Sequence, residues 1–140
     1  NRNSQWRHGI KSLFLNLPMK KDIGSEKDIS LLIDAFYTAV LSSPNLRPFF
    51  DHLSWEEHLP HMKRFWCFVL LDQPGYSTNV TEKHIQMPLK KEHFDEWINL
   101  FCNTMDALFE GEKATLGKER AKLIGQGIQH KMGLFKNHLN

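Results

Sequence analysis

The strongest constraint in this chain is a helical hydrophobic stripe. Ile29, Leu32, Ile33, Phe36, Tyr37, Val40 and Leu41 fall at i, i+3, i+4, i+7, i+8, i+11 and i+12. That spacing lines one face of an α-helix and cannot serve a strand, whose faces alternate every second residue. Ser25 stands where an N-cap is needed. The period recurs along most of the chain. Ser43-Pro44 predicts a stop and a restart with proline in the first turn, followed by a short helical turn carrying Leu46, Phe49 and Phe50.

Ser54-Trp55-Glu56-Glu57 has the form of a capping box. Behind it Met62, Phe65, Trp66, Val69 and Leu70 share a face. Pro60 interrupts this segment. It lacks the N–H that would bond to the carbonyl of Glu56, so the helix is expected to kink near 56–60 or to begin at Pro60. Gln73-Pro74-Gly75 reads as its end. Residues 74–89 have no clear period and predict a loop with one helical turn near 81–85. From Lys90 the helical period returns with Phe94, Trp97, Ile98, Phe101, Met105 and Leu108, closed by Gly111. A last helix is expected over 114–136, with Leu116, Leu123, Ile124, Ile128, Met132 and Phe135 inward.

Nothing reads as a strand, so the expected class is all-α. The chain has 140 residues, which is one domain's length. Residues 1–18 read as an upstream extension or an artificial remnant, because Met19 looks like a natural start, and 19–140 as the folded domain. The longest apolar run, Phe65 to Leu71, is far short of the roughly 20 residues of a membrane helix. Net charge is +2, too balanced to imply nucleic acid or an anionic membrane. Two cysteines, Cys67 and Cys102, make no disulfide framework, and a reducing cytosol is the expected compartment. Both sit in helical patterns as small apolar residues, and Glu56-Glu57 and Asp95-Glu96 read as solvated helix faces.

The candidate chemistry lies in the polar residues on inward faces. These are Tyr37, Trp97 and His58, and the irregular segment adds His84. Taken singly, Tyr37 continues an apolar stripe, Trp97 reads as helix packing and His84 as a surface imidazole. Taken together, one imidazole, a phenol and an indole N–H walled by Phe and Leu suit a haem, whose iron takes an axial nitrogen on one face. Its other face then needs an apolar pocket with a few hydrogen-bond donors.

At this point the chain resembles the group III truncated haemoglobins. The resemblance rests on Phe36-Tyr37, Leu46 with Pro48-Phe49-Phe50, Trp55-Glu56-Glu57-His58, Phe65-Trp66, Leu70-Leu71, Tyr76, His84, and His93-Phe94 leading to Trp97 and Leu100-Phe101. It spans about 29 to 132. It implies a helical sandwich, shorter than a full globin, that encloses one haem b, with a short irregular segment carrying His84 as proximal iron ligand. It also implies Tyr37 and Trp97 as the distal hydrogen-bonding pair and His58 on the ligand-facing side. Phe36, Phe50, Met62, Phe65, Trp66, Phe94 and Phe101 are the expected haem pocket. His61 and Lys83 are candidates for the haem propionates. The implied ligands are dioxygen, nitric oxide, carbon monoxide or cyanide. Nitric oxide or peroxide turnover would require a separate electron donor, and a monomer is expected. A different reading stays open at this stage: a haem-free helical interaction or metal-binding module using His58 and His61, which stand three residues apart.

Overall fold

A computed structural model of the chain describes residues 19–74 and 87–134. Among them are five helices: α1 (Glu26–Leu41), α2 (Arg47–Phe50), α3 (Trp55–Leu71), α4 (Lys91–Leu108) and α5 (Glu112–Lys131). No strand occurs among the described residues, and the class is all-α as expected. The upstream 1–18, the segment 75–86 and the last residues 135–140 lie outside the description.

Helix α1 forms where its stripe predicts. Ser25 Oγ accepts the N–H of Asp28, and Glu26 and Asp28 place negative charge in the first turn, where the helix dipole favours it. Ile29, Leu32, Ile33 and Val40 are wholly buried, and Phe36 and Tyr37 nearly so. This face packs against both α3 and α4, while α4 pairs with α5. Phe101 of α4 fills the centre, its ring edge on to Phe36 at 5.2 Å and stacked on Trp66 at 4.7 Å. Burying such a ring contributes about 1.5–3 kcal/mol from transfer alone.

Several boundaries differ from the sequence reading. The proline in a helical first turn is Pro48, in α2; Pro44 sits in the turn before it. Ser54 occupies the N-cap of α3, but its side chain makes no capping bond, so the expected box is not formed. Backbone bonds from Glu57 and His58 to the Ser54 carbonyl start the helix instead. Helix α3 therefore runs from Trp55 straight through Pro60. It ends at Asp72, which adopts the left-handed conformation at φ 55° and donates its N–H to Cys67 O.

Gly111 does not close α4. Phe109, extended, does that, and Gly111 stands at the N-cap of α5 with φ 145°. The start of α5 is capped from far away in sequence. Asp22 Oδ2 accepts from Lys113 N and Oδ1 from Ala114 N, each at 2.9 Å. A Cβ on Gly111 would lie 2.5 Å from Asp22 Cγ, so the close approach needs glycine there.

The inward face of α5 is also different from the expected aliphatic one. Ala114, Gly117, Ala121, Gly125 and Ile128 are buried, whereas Leu123 is 57% exposed. Small residues let α5 approach closely. A Cβ on Gly117 would meet Met105 Cε at 2.7 Å, and one on Gly125 would meet Ile98 Cδ1 at 3.1 Å. Gly127, its neighbour in the sequence pattern, faces open space.

Candidate functional site

Among the described residues, the helices line an apolar cavity. Its walls bound about 660 Å³ of empty space, counting the part open to solvent. Helix α1 contributes Tyr37; the α2 region adds Leu46 and Phe50; α3 adds Met62, Phe65 and Trp66. Across from α3, Phe94, Trp97 and His93 come from α4, and Ile124, Gly125 and Ile128 from α5, with Leu89 just before α4.

Of the sequence-predicted pocket residues, Phe50, Met62, Phe65, Trp66 and Phe94 line this cavity. Phe36 and Phe101 do not. They form a second layer, fully buried behind it: Phe36 meets Trp97 edge on at 5.8 Å, and Phe101 stacks on Trp97 at 6.1 Å. They back the wall. Tyr37 and Trp97, the predicted distal pair, both line the same cavity although one comes from α1 and the other from α4.

His58 takes a different position. Its ring packs edge to face on Tyr37 at 5.2 Å and on Trp55 at 5.2 Å, and Tyr37 meets Trp55 at 5.1 Å. The three rings form a closed aromatic triangle, of which Tyr37 lines the cavity while His58 and Trp55 stand outside the lining. Because α3 is continuous from Trp55, His58 is half-buried and its Nε2 is shielded from solvent. His61 stands half-buried on α3, outside the lining. His84 and Lys83 lie outside the described residues, as does Tyr76. Among the described residues, no group of three or more His, Cys, Asp or Glu is placed to hold a metal ion.

Three positions were missed by sequence reasoning. Trp55 looked like part of a cap motif, yet it braces both Tyr37 and His58. Glu96 looked like a solvated face, yet Oε1 accepts from Ser43 Oγ at 2.6 Å and Oε2 from Asn45 Nδ2 at 3.2 Å. That ties the α1–α2 turn to the residue beside Trp97. His93 is the third: Lys90 N donates to its Nδ1 at 2.9 Å, and Phe49 packs on it edge to face at 4.8 Å. A histidine at the third helical position carried the signal, since acceptors there reach back to the N-cap.

The cysteines take no part. Burial pushes the thiols of Cys67 and Cys102 above their ordinary value, which disfavours the reactive thiolate.

The donor set fits a haem. The lining is aromatic and aliphatic, and its side-chain hydrogen-bond donors are a phenol, two indoles and one imidazole. Among the described residues, no helix is long and apolar enough to cross a membrane.

Comparison with known proteins identifies the family and the fold. The chain is 25% identical over 127 residues to the group 3 truncated haemoglobin of Campylobacter jejuni, an alignment covering 86% of this chain and all of that one. The fold is similar to the crystal structure of group III truncated haemoglobin from Campylobacter jejuni, with a TM-score of 0.74 and 26% identity, covering 81% of this chain and 95% of that one. It is also similar to the truncated oxygen-avid haemoglobin of Bacillus subtilis, with a TM-score of 0.64 and 26% identity, over 74% and 92% of the two chains. The family model for bacterial-like globins matches residues 20–131. The chain belongs to the bacterial-like globin family, whose members bind ligands through haem, and it has the truncated haemoglobin fold.

Proposed function

We propose that this chain is a haem b protein that binds and retains dioxygen, with nitric oxide, carbon monoxide and cyanide as further ligands. The observation that carries the reading is the convergence of Tyr37 and Trp97 on one apolar cavity from two different helices. Haem, when bound, supplies the iron that takes the diatomic ligand. The chain's own residues then set how long the ligand stays. His84 is assigned to hold the iron. Tyr37 O–H and Trp97 N–H are assigned as donors to a ligand that draws negative charge. Such donors act best where water is excluded, because the low dielectric strengthens each bond. His58, through its ring contact, and Trp55 keep Tyr37 in place.

The relative from Bacillus subtilis is described as oxygen-avid, which supports ligand retention as the theme of the fold. Nitric oxide or peroxide turnover is a finer possibility of the same pocket, and it would draw electrons from a separate reductase. The metal-binding alternative built on His58 and His61 has no third ligand among the described residues.

An absorption spectrum tests the reading. The purified protein, reconstituted with haemin and reduced, is expected to show a Soret band that shifts reversibly between argon and air. A preparation that stays colourless after haemin addition overturns it.

A further inference from the structure

We infer that His93 anchors a carboxylate at the mouth of the cavity, and that its partner is the propionate edge of the haem; the inference rests on the haem reading above.

The chemistry of the ring follows from one hydrogen bond. A backbone N–H can only donate, so the bond from Lys90 N makes His93 Nδ1 an acceptor. A neutral imidazole has one acceptor nitrogen and one donor. Nε2 therefore carries the proton and is a donor. This excludes His93 as an iron ligand through Nε2, since a ligating nitrogen must offer its lone pair, and such a ligand donates from its other nitrogen. His93 lines the cavity, so a donor and not a ligand is presented along this wall. Its orientation is braced twice, by the Lys90 bond and by the edge-to-face contact with Phe49.

Position selects the acceptor. His93 is half-buried, while the adjoining Lys90 and Lys91 are exposed and Leu89 and Phe94 are buried. The ring thus sits where the apolar wall meets the surface. The near charges are mixed: Lys91 pairs with Asp95 at 3.4 Å, and Lys90 and Glu92 are both exposed. An anionic oxygen that accepts from a fixed N–H donor gains a charge-assisted bond. A flat apolar molecule with carboxylates at its solvent edge matches both the cavity and this rim. Of the two sequence-based candidates for the role, His61 stands outside the lining and Lys83 lies outside the described residues.

The test compares haem with haem dimethyl ester, which fills the same space without carboxylates. Each is loaded into the full-length wild type, His93→Phe and His93→Gln, and its loss to an excess of apomyoglobin is timed. Gln keeps an acceptor for Lys90 N and an N–H donor. We expect His93→Phe to lose haem roughly tenfold faster, the size of one hydrogen bond to a charged group, and to lose the ester at the wild-type rate. His93→Gln should stay near wild type with both. Equal acceleration of haem and ester loss in His93→Phe means that the ring only packs, and overturns the proposal. Unchanged rates for both cofactors overturn it as well. A wild-type protein that takes up neither cofactor defeats the haem reading and this proposal together, whereas the other failures leave the haem reading standing.

Discussion

Tyr37 of α1 and His58 of α3 meet edge to face, their ring centroids 5.2 Å apart. The contact depends on α3 starting at Trp55, since a helix beginning at Pro60 would leave His58 in a loop. It also depends on Trp55, which touches both rings. Aromatic pairs of this kind contribute about 0.5–1.5 kcal/mol each beyond their buried area. Trp55→Leu removes two of them, and it should lower stability to urea by about 1–3 kcal/mol. It should also speed dioxygen release, by less than removal of the Tyr37 hydroxyl does, because the hydroxyl remains and only its brace is lost. Wild-type stability and release in this variant would show the triangle to be incidental.

Tyr37→Phe removes one donor from the cavity with little change of shape, and Trp97→Phe removes another together with part of the ring. A hydrogen bond to a partly charged ligand contributes about 1.5–3 kcal/mol, so each substitution should raise the dioxygen dissociation rate about 10- to 100-fold. Stopped-flow displacement of dioxygen by carbon monoxide measures this. If neither variant changes the rate, the distal assignment is wrong.

Much of this arrangement is legible in the sequence, and the illegible parts share a cause. The α1 stripe announces itself because its buried residues are large and its neighbours polar. The α5 face does not, because it packs through Ala114, Gly117, Ala121 and Gly125, which carry little hydrophobic weight. Leu123 stood out in the pattern and points to solvent. Gly111 was read as the end of one helix and serves the start of the next, because its partner Asp22 lies too far away in sequence for local rules to find. The cavity's aromatic lining was visible in Phe50, Phe65, Trp66 and Phe94, whereas the roles of Trp55, His93 and Glu96 depend on contacts between elements. Phe36 and Phe101 share the helical period of the lining residues, so periodicity alone could not separate the wall from its backing.

The iron ligand is tested by deletion. His84→Ala removes the imidazole assigned to hold the metal, so haem should be weakly held and the five-coordinate histidine spectrum should vanish. Added imidazole is expected to restore a histidine-like spectrum, because the apolar cavity itself is unchanged. A variant that keeps the wild-type ferrous spectrum without imidazole would remove His84 from the role.

The two glycines of α5 with contrasting surroundings should respond in opposite directions. Gly127 is exposed in a helix interior, with nothing within 4 Å of an added Cβ. Alanine there reduces the entropy lost on folding, so Gly127→Ala should stabilise by about 0.5–1 kcal/mol. Gly117 is buried, and its added Cβ would press on Met105, itself wholly buried, and on Leu70 at 3.3 Å. Gly117→Val crowds this packed interior and should destabilise by about 1–3 kcal/mol. Chemical denaturation of the two variants, in one haem state, gives the comparison; the same sign in both would refute the close packing of α5.

The acid limb of stability should trace to two aspartates of the N-terminal segment. Burial alone would raise the Asp22 carboxyl, but the N–H groups of Lys113, Ala114 and Ile23 outweigh it and hold it below the usual carboxylate range. Asp28 is held low chiefly by its bond to Lys21 Nζ at 2.9 Å, with Gly24 N adding another at 2.9 Å. A carboxyl whose folded value is depressed stabilises fully above its unfolded pKa of about 3.9. That contribution disappears as pH falls through the lower folded value. Both sites should therefore leave stability flat from pH 7 to about 5 and erode it below about 4. In Asp22→Asn only one oxygen is left to accept from the two N–H groups that open α5, so about 1 kcal/mol should be lost at neutral pH, as for a weakened helix cap. The gap between this variant and the wild type should then narrow as the wild-type carboxyl protonates. Thermal melts of both proteins from pH 7 to 3 measure it, and a gap that stays constant across that range would show that Asp22 caps α5 without its charge.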